Sequence, residues 1–170
     1  MPWAMREESL AALDKRLEHL KPSLIVEAGS GQSTAVLARH GRTISLEHMA
    51  SFAKESQRLA PTAEVRHARL KTFHTLAGNF RWYDTQLPTG IDFALIDGPP
   101  AERVGRQAAL FAFWPYLAPE WEIWLDDADR QHENRCLKLW HQFFRFRVEP
   151  VSQSVVRLLP PLVVADHPAE

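Results

Sequence analysis

The sequence predicts an α/β protein: a doubly wound, mostly parallel sheet of seven strands that finishes in an antiparallel C-terminal hairpin. Three observations carry this prediction. Residues 23–34 (Ser-Leu-Ile-Val-Glu-Ala-Gly-Ser-Gly-Gln-Ser-Thr) run from an apolar segment through two glycines into a helical pattern. Strand-like segments then alternate with helical ones, which is the signature of a parallel sheet with crossover helices. Two strand-like segments end in a carboxylate, Glu27 and Glu47, twenty positions apart.

In chain order, leucines at 10, 13, 17 and 20 recur at helical spacing over residues 7–20. Lys21-Pro22 closes that helix, because proline drives the preceding residue out of the α region. Its expected role is to pack on the sheet or to cap a pocket. Leu24, Ile25 and Val26 form the first strand, apolar on consecutive positions as for a strand buried on both faces. Gly29 and Gly31 permit a positive φ and close approach of a ligand to the backbone. Ser33 and Thr34 open a helix whose first N–H groups lack intrahelical partners, and it runs to about His40-Gly41.

Arg42 to His48 is the second strand and Ala50 to Leu59 a helix, with Pro61 after it and a third strand over Glu64 to Leu70. Residues 71–92 show no clean period, and Phe73, Phe80, Trp82 and Tyr83 are interleaved with Gly78, Pro88 and Gly90. A long aromatic connection of this kind reads as a lid or functional loop. Phe80 and Trp82 are expected to fill core, whereas Tyr83-Asp84 is placed for a substrate contact. Ile91 to Ile96 is the fourth strand, running into Asp97-Gly98-Pro99-Pro100. Arg103 to Leu117 reads as a helix, Glu120 to Leu125 as the fifth strand and His132 to Phe144 as a helix with Cys136, Leu139, Trp140 and Phe143 on its apolar face. Arg145 to Val151 and Ser154 to Leu159 are close enough to form an antiparallel pair. Pro160-Pro161 stops the second, and residues 160–170 read as a loose tail. Residues 1–170 are thus one domain, with 1–21 its N-terminal helix.

Composition narrows the function classes. The chain of 170 residues is 45% hydrophobic and 24% charged with a net charge of −1, which provides no overall electrostatic footprint for nucleic acid or an anionic membrane. Cys136 is the single cysteine, so neither an internal disulfide nor a cysteine-rich zinc site can form. The amino end has no apolar signal core. The longest apolar run, Ala108 to Ala118, is too short to span a bilayer and contains Pro115, so a cytoplasmic protein is expected.

Three ligand types use a strand–glycine–helix turn. A phosphate-cradling loop needs a Gly-Lys-Ser/Thr that is missing here. A dinucleotide fingerprint needs a third glycine where Thr34 stands. The remaining pattern, Glu27-x-Gly29-x-Gly31 with Ser33 following, resembles the first motif of the class I S-adenosylmethionine-dependent methyltransferases, whose Rossmann-like fold matches the predicted order of elements over nearly the whole chain. The resemblance implies S-adenosylmethionine as cofactor. Glu27, Gly29, Ser30, Gly31 and Ser33 would then surround its methionyl end, with Glu47 on the ribose hydroxyls and His48 near the adenine. The family often places a small or acidic residue after the third strand, where this chain has Arg69-Leu70-Lys71.

Asp97-Gly98-Pro99, Gly105-Arg106 and Asp127-Ala128-Asp129-Arg130 with Glu133 resemble the pattern of glucuronoxylan O-methyltransferases, which methylate a sugar hydroxyl. A small-molecule or saccharide acceptor is therefore implied. Asp97-Gly98-Pro99-Pro100 also resembles a DNA amino-methyltransferase motif, but Gly98 interrupts it and Ala101 replaces the stacking aromatic. Transfer to an unactivated hydroxyl needs a base. Asp97 and Asp127 are the foremost candidates, with Asp126, Asp129 and His132 nearby. Clustered carboxylates raise one another's pKa or else hold a divalent cation. Asp97, Asp126 and Asp127 are spaced as in catechol-type O-methyltransferases, although Pro100 stands where those have lysine. The alternative for these acids is a solvated loop in which Asp126 or Asp129 caps the following helix. Arg106 and Arg130 would either bind an acidic acceptor or neutralise the aspartates. Two other classes stay open: an NAD-dependent oxidoreductase and a non-catalytic cofactor-binding module.

Overall fold

The structure is a computed structural model that describes residues 5–100 and 105–162. Its elements in chain order are α1 (Glu7–Leu20), β1 (Leu24–Ala28), α2 (Gln32–Leu37), β2 (Arg42–Glu47), α3 (Ala50–Leu59), β3 (Glu64–His67), β4 (Leu70–Thr75) and β5 (Gly78–Tyr83). They continue with β6 (Ile91–Ile96), α4 (Ala109–Phe113), a 3₁₀ turn (Trp114–Tyr116), β7 (Leu117–Leu125), α5 (Gln131–Trp140), β8 (Arg147–Pro150) and β9 (Val156–Leu159). Seven strands form one sheet in the order β3-β2-β1-β6-β7-β9-β8. The first five positions pair in parallel, and β9 runs antiparallel to both β7 and β8.

The consecutive apolar residues of the central strands divide between two cores, because successive side chains leave a strand on opposite faces. Ile25, Phe93, Leu95 and Trp124 meet Leu13 and Leu17 of α1 and Leu37 of α2 on one side. Val26, Ala94, Ile96, Ile123 and Leu125 meet Leu110, Phe113, Cys136 and Trp140 on the other. The sequence reading of α1 is met on its packing role. Arg16 of α1 also grips the buried Glu122 of β7, with a closest approach of 2.6 Å, and Glu122 in turn accepts the Trp124 indole N–H at 2.7 Å.

The chain enters β2 at Gly41, where a Cβ would run into the main-chain oxygen of Pro22. A backbone obstacle cannot rotate away. Gly41→Ala is expected to destabilise the fold by about 1–3 kcal/mol, the usual cost of overpacking. A denaturant midpoint equal to that of the wild type would show that the two loops can part without cost.

Several sequence expectations change. The third strand stops at His67 rather than Leu70. Only residues 84–90 of the irregular stretch expected over 71–92 lack regular structure; before them β4 and β5 pair as a regular antiparallel hairpin, from Leu70 opposite Tyr83 to Thr75 opposite Gly78. Phe80 is partly buried and Trp82 is core, as expected. The helix expected over 103–117 is only α4 within its described part. Gly105 has a φ of +74°, and the chain tightens into the 3₁₀ turn at Pro115. β7 begins early, at Leu117, and its register against β6 slips beside Pro119, which has no N–H to donate. α5 ends at Trp140 instead of Phe144. No aspartate caps it, since Arg130 occupies the N-cap and Asp129 pairs with Arg6 at 3.2 Å. Ala101 and most of the expected tail fall outside the described residues. Among the described residues, no helix is long and apolar enough to cross a membrane.

Candidate active site

The carboxyl ends of β1, β2, β6 and β7 open on one edge of the sheet, the position where doubly wound sheets bind their ligands. Two groups of residues meet there, one around the glycine loop and one around the aspartates.

Glu27 lies in β1 and is fully buried. The Ser33, Thr34 and Ser45 hydroxyls all donate to its carboxylate, those of Thr34 and Ser45 at 2.6 Å. Burial pushes its pKa up to about 7, against the pull of these three hydroxyls. Thr34 also accepts the Gly31 N–H at 3.0 Å, so the loop is tied to its own helix. Glu27 therefore underpins the glycine loop from below.

Gly29 has a φ of +93°, and a Cβ on it would come within 3.1 Å of the Asp97 carbonyl carbon. Across the gap, a Cβ on Gly98 would lie 2.8 Å from the Gly29 Cα and 2.7 Å from the Tyr83 hydroxyl. The loops after β1 and β6 thus cross in contact, and both positions require glycine for space. Gly31 has open space on the side where a Cβ would point.

Glu47, at the end of β2, is nearly buried. One of its oxygens accepts the Met49 N–H at 2.8 Å and the other the Ser30 hydroxyl at 3.2 Å, which links the second carboxylate to the glycine loop. The Ser56 hydroxyl supports Ser30 from α3 at 2.8 Å. His48 comes next, with its Nδ1 3.0 Å from Glu47.

On the other side of the crossing, Asp97, Asp126 and Asp127 each bring a carboxylate oxygen within 4.8 Å of the others. Burial raises the Asp97 pKa well above the usual carboxylate range; Arg106 opposes this, while Asp126 and Asp127 add to it. Burial likewise raises Asp126. Asp127 sits in the left-handed region with a φ of +59°. Its Oδ2 is 3.0 Å from Arg106 and its Oδ1 2.9 Å from Arg130.

Two residues expected to face the substrate lie deeper than that. Tyr83 is 2% exposed, wedged by Trp82 and Gly98, and its hydroxyl has no hydrogen-bond partner among the described residues. Arg106 is also 2% exposed and donates to the Asp97 and Asp126 carbonyls at 2.9 and 2.7 Å. It forms ion pairs with the carboxylates of Asp97 and Asp127, at 3.4 and 3.0 Å. Arg130, 54% exposed, stays at the rim. Sequence reasoning missed the hydroxyl set on Glu27. Its one signal was Ser45, a lone hydroxyl between Ile44 and Leu46 in a buried strand.

No protein-family model and no curated protein matches the chain. Solved structures do. An O-methyltransferase of Bacillus cereus in complex with SAH (S-adenosylhomocysteine) superposes with a TM-score of 0.63 at 15% identity, over 92% of this chain and 83% of that one. A tRNA methyltransferase of Aquifex aeolicus gives 0.66 at 13% identity, over 95% and 71%. An SAH-bound methyltransferase of Podospora anserina gives 0.66 at 13% identity, over 92% and 80%. The chain has the Rossmann-like fold of the class I methyltransferases, and its β4–β5 hairpin follows β3 outside the main sheet.

Proposed function

We propose that this protein is an S-adenosylmethionine-dependent methyltransferase acting on a hydroxyl of a small molecule or sugar. The observation that carries the reading is the junction of Glu47 with the glycine loop through Ser30, with an acidic triad across the Gly29–Gly98 crossing. A cofactor with vicinal ribose hydroxyls suits Glu47, which stands at the end of β2 next to a loop that is open at Gly31. Dinucleotide binding is disfavoured by Thr34. Its side chain is spent on Glu27 and Gly31, in the place where a third glycine would let helix and strand close up.

The cofactor, when bound, supplies a methyl group already activated by a sulfonium. The chain's own part is then alignment and proton removal. Alignment of a bound acceptor can contribute on the order of 7 kcal/mol or more. Asp97 takes the acceptor's hydroxyl proton on its carboxylate. Asp127, held by two arginines, orients the acceptor, and Arg130 offers a rim contact for an anionic substituent.

Calorimetric titration with S-adenosylmethionine, S-adenosylhomocysteine and NAD tests the reading. The first two are expected to bind and the third not. Binding of NAD alone would replace this assignment by an oxidoreductase. Binding of S-adenosylmethionine with no transfer to any hydroxylic acceptor would leave a binding module. Glu47→Ala is expected to weaken cofactor binding by about 1–3 kcal/mol, the usual cost of removing hydrogen bonds to a charged group. Unchanged affinity would remove Glu47 from the site.

A further inference from the structure

We propose that Arg106 is a built-in cation that stands where a divalent metal ion would otherwise bridge Asp97, Asp126 and Asp127. Three carboxylates within 4.8 Å of one another repel unless they hold protons or are given positive charge nearby. The chain provides it from the turn before α4. Nη2 of Arg106 lies 3.4 Å from Asp97 Oδ1 and 3.0 Å from Asp127 Oδ2. Nη1 lies 3.6 Å from the buried Glu133 on the remaining side. An oxygen-bound Mg²⁺ or Ca²⁺ needs its ligands at about 2.0–2.6 Å, in the same gap between Asp97 and Asp127 that Nη2 already fills. The metal and the guanidinium therefore exclude each other, and the aspartates do not fit a metal while Arg106 is in place.

The tethering is what separates this from an ordinary ion pair. Both terminal nitrogens also donate to main-chain carbonyls, those of Asp97 and Asp126, which are the residues that leave β6 and β7. The positive charge is thereby fixed to the two strand ends that carry the acids and cannot exchange with solvent ions. A guanidinium stays charged at any working pH and has the planar fork to serve several oxygens at once. Catalysis at this triad would then need no added metal. The inference rests on the side-chain geometry and not on the identity of the cofactor, so its test reads metal binding rather than turnover.

The experiment is a Mn²⁺ titration of the full chain, followed by electron paramagnetic resonance and by thermal melting in Mn²⁺ or EDTA. The wild type is expected to show no stoichiometric uptake up to about 1 mM, the weak end of dedicated oxygen sites. Its melting temperature should be the same in both conditions. Arg106→Ala should take up one Mn²⁺, and at a hundredfold excess over Kd its melting temperature should rise by about 5–10 °C relative to EDTA. Arg106→Lys keeps a cation in place and should stay metal-free. Adding Asp127→Asn to Arg106→Ala should abolish the uptake. Stoichiometric uptake by the wild type, lost in Asp97→Asn, would overturn the proposal. So would an Arg106→Ala protein that folds but takes no metal. An Arg106→Ala protein that folds in Mn²⁺ but not in EDTA supports it, whereas one that folds in neither counts against it, because a replacement cation would then have failed to substitute.

Discussion

Asp97→Asn is expected to lower methyl transfer by about 100-fold or more, the usual range for loss of a general base, while the protein stays folded and keeps its cofactor affinity. The geometry favours Asp97 over Asp127. Asp127 has an arginine on each oxygen, at 3.0 and 2.9 Å, so both of its oxygens are already engaged. The Asp97 carboxylate approaches Arg106 only to 3.4 Å, and burial holds its pKa well above that of an ordinary carboxylate. A base works only when deprotonated, so the wild-type rate should climb as pH rises through this raised value and the Asn variant should lose that limb. The stability effect has the opposite sense. An acid whose pKa is raised by folding weakens the fold as pH rises past its ordinary value, so replacing it by neutral Asn should not lower the melting temperature at neutral pH. Radiolabelled S-adenosylmethionine with whichever acceptor the wild type methylates would measure the rate. Wild-type turnover in the variant would exclude Asp97 as the base.

Glu27→Gln is expected to remove about 3 kcal/mol of pH dependence from folding stability. Its carboxyl goes from an ordinary 4.5 to about 7 in the folded chain, and each pH unit is worth about 1.36 kcal/mol. Between these values the native protein holds a proton that the unfolded chain has released. Stability therefore falls as pH rises across that window, and the whole cost is present above about pH 7. Urea unfolding at a series of pH values should show a slope in the wild type that is shallower in the variant. Asp97 and Asp126 titrate in the same sense, so the difference between the two proteins is the quantity to read. Identical slopes would mean that Glu27 is not held in the protonated form. Against this cost, its two oxygens hold the Ser33, Thr34 and Ser45 hydroxyls together, and with them the glycine loop.

The main sheet was legible because its strands are buried on both faces. Leu24-Ile25-Val26 and Ile91 to Ile96 leave little room for a helical reading, and the glycine turn after Glu27 marks where the first strand gives way to α2. The β4–β5 hairpin was not legible. Lys71 is exposed although it lies opposite Trp82, on the face that carries Phe73 and Phe80, which breaks the alternation that would mark an inner face. Its turn also lacks the usual signal. Leu76 and Ala77 are its central residues, neither has a positive φ, and the positive φ falls on Gly78 after the turn. At the site, spacing along the chain identified which acids end strands. It could not reveal that Arg106 reaches across to both Asp97 and Asp127, since that depends on the β6–β7 pairing and on the turn at Gly105.

The place of β9 between β7 and β8 bears on the order in which the molecule can be assembled during synthesis. β7 exposes the main-chain edge of Ile123, Trp124 and Leu125 until residues 156–158 have emerged to pair with it. β8, made earlier, cannot take that place in the native register because it bonds only to β9. A growing chain thus carries an open, apolar strand edge through more than thirty further residues of translation, which is the condition that invites pairing with another chain. The finished edge is guarded instead: β8 ends the sheet with Arg147, Glu149 and Pro150, two charges and a residue without a donor. The interval of risk in this protein closes when β9 slots in between β7 and β8.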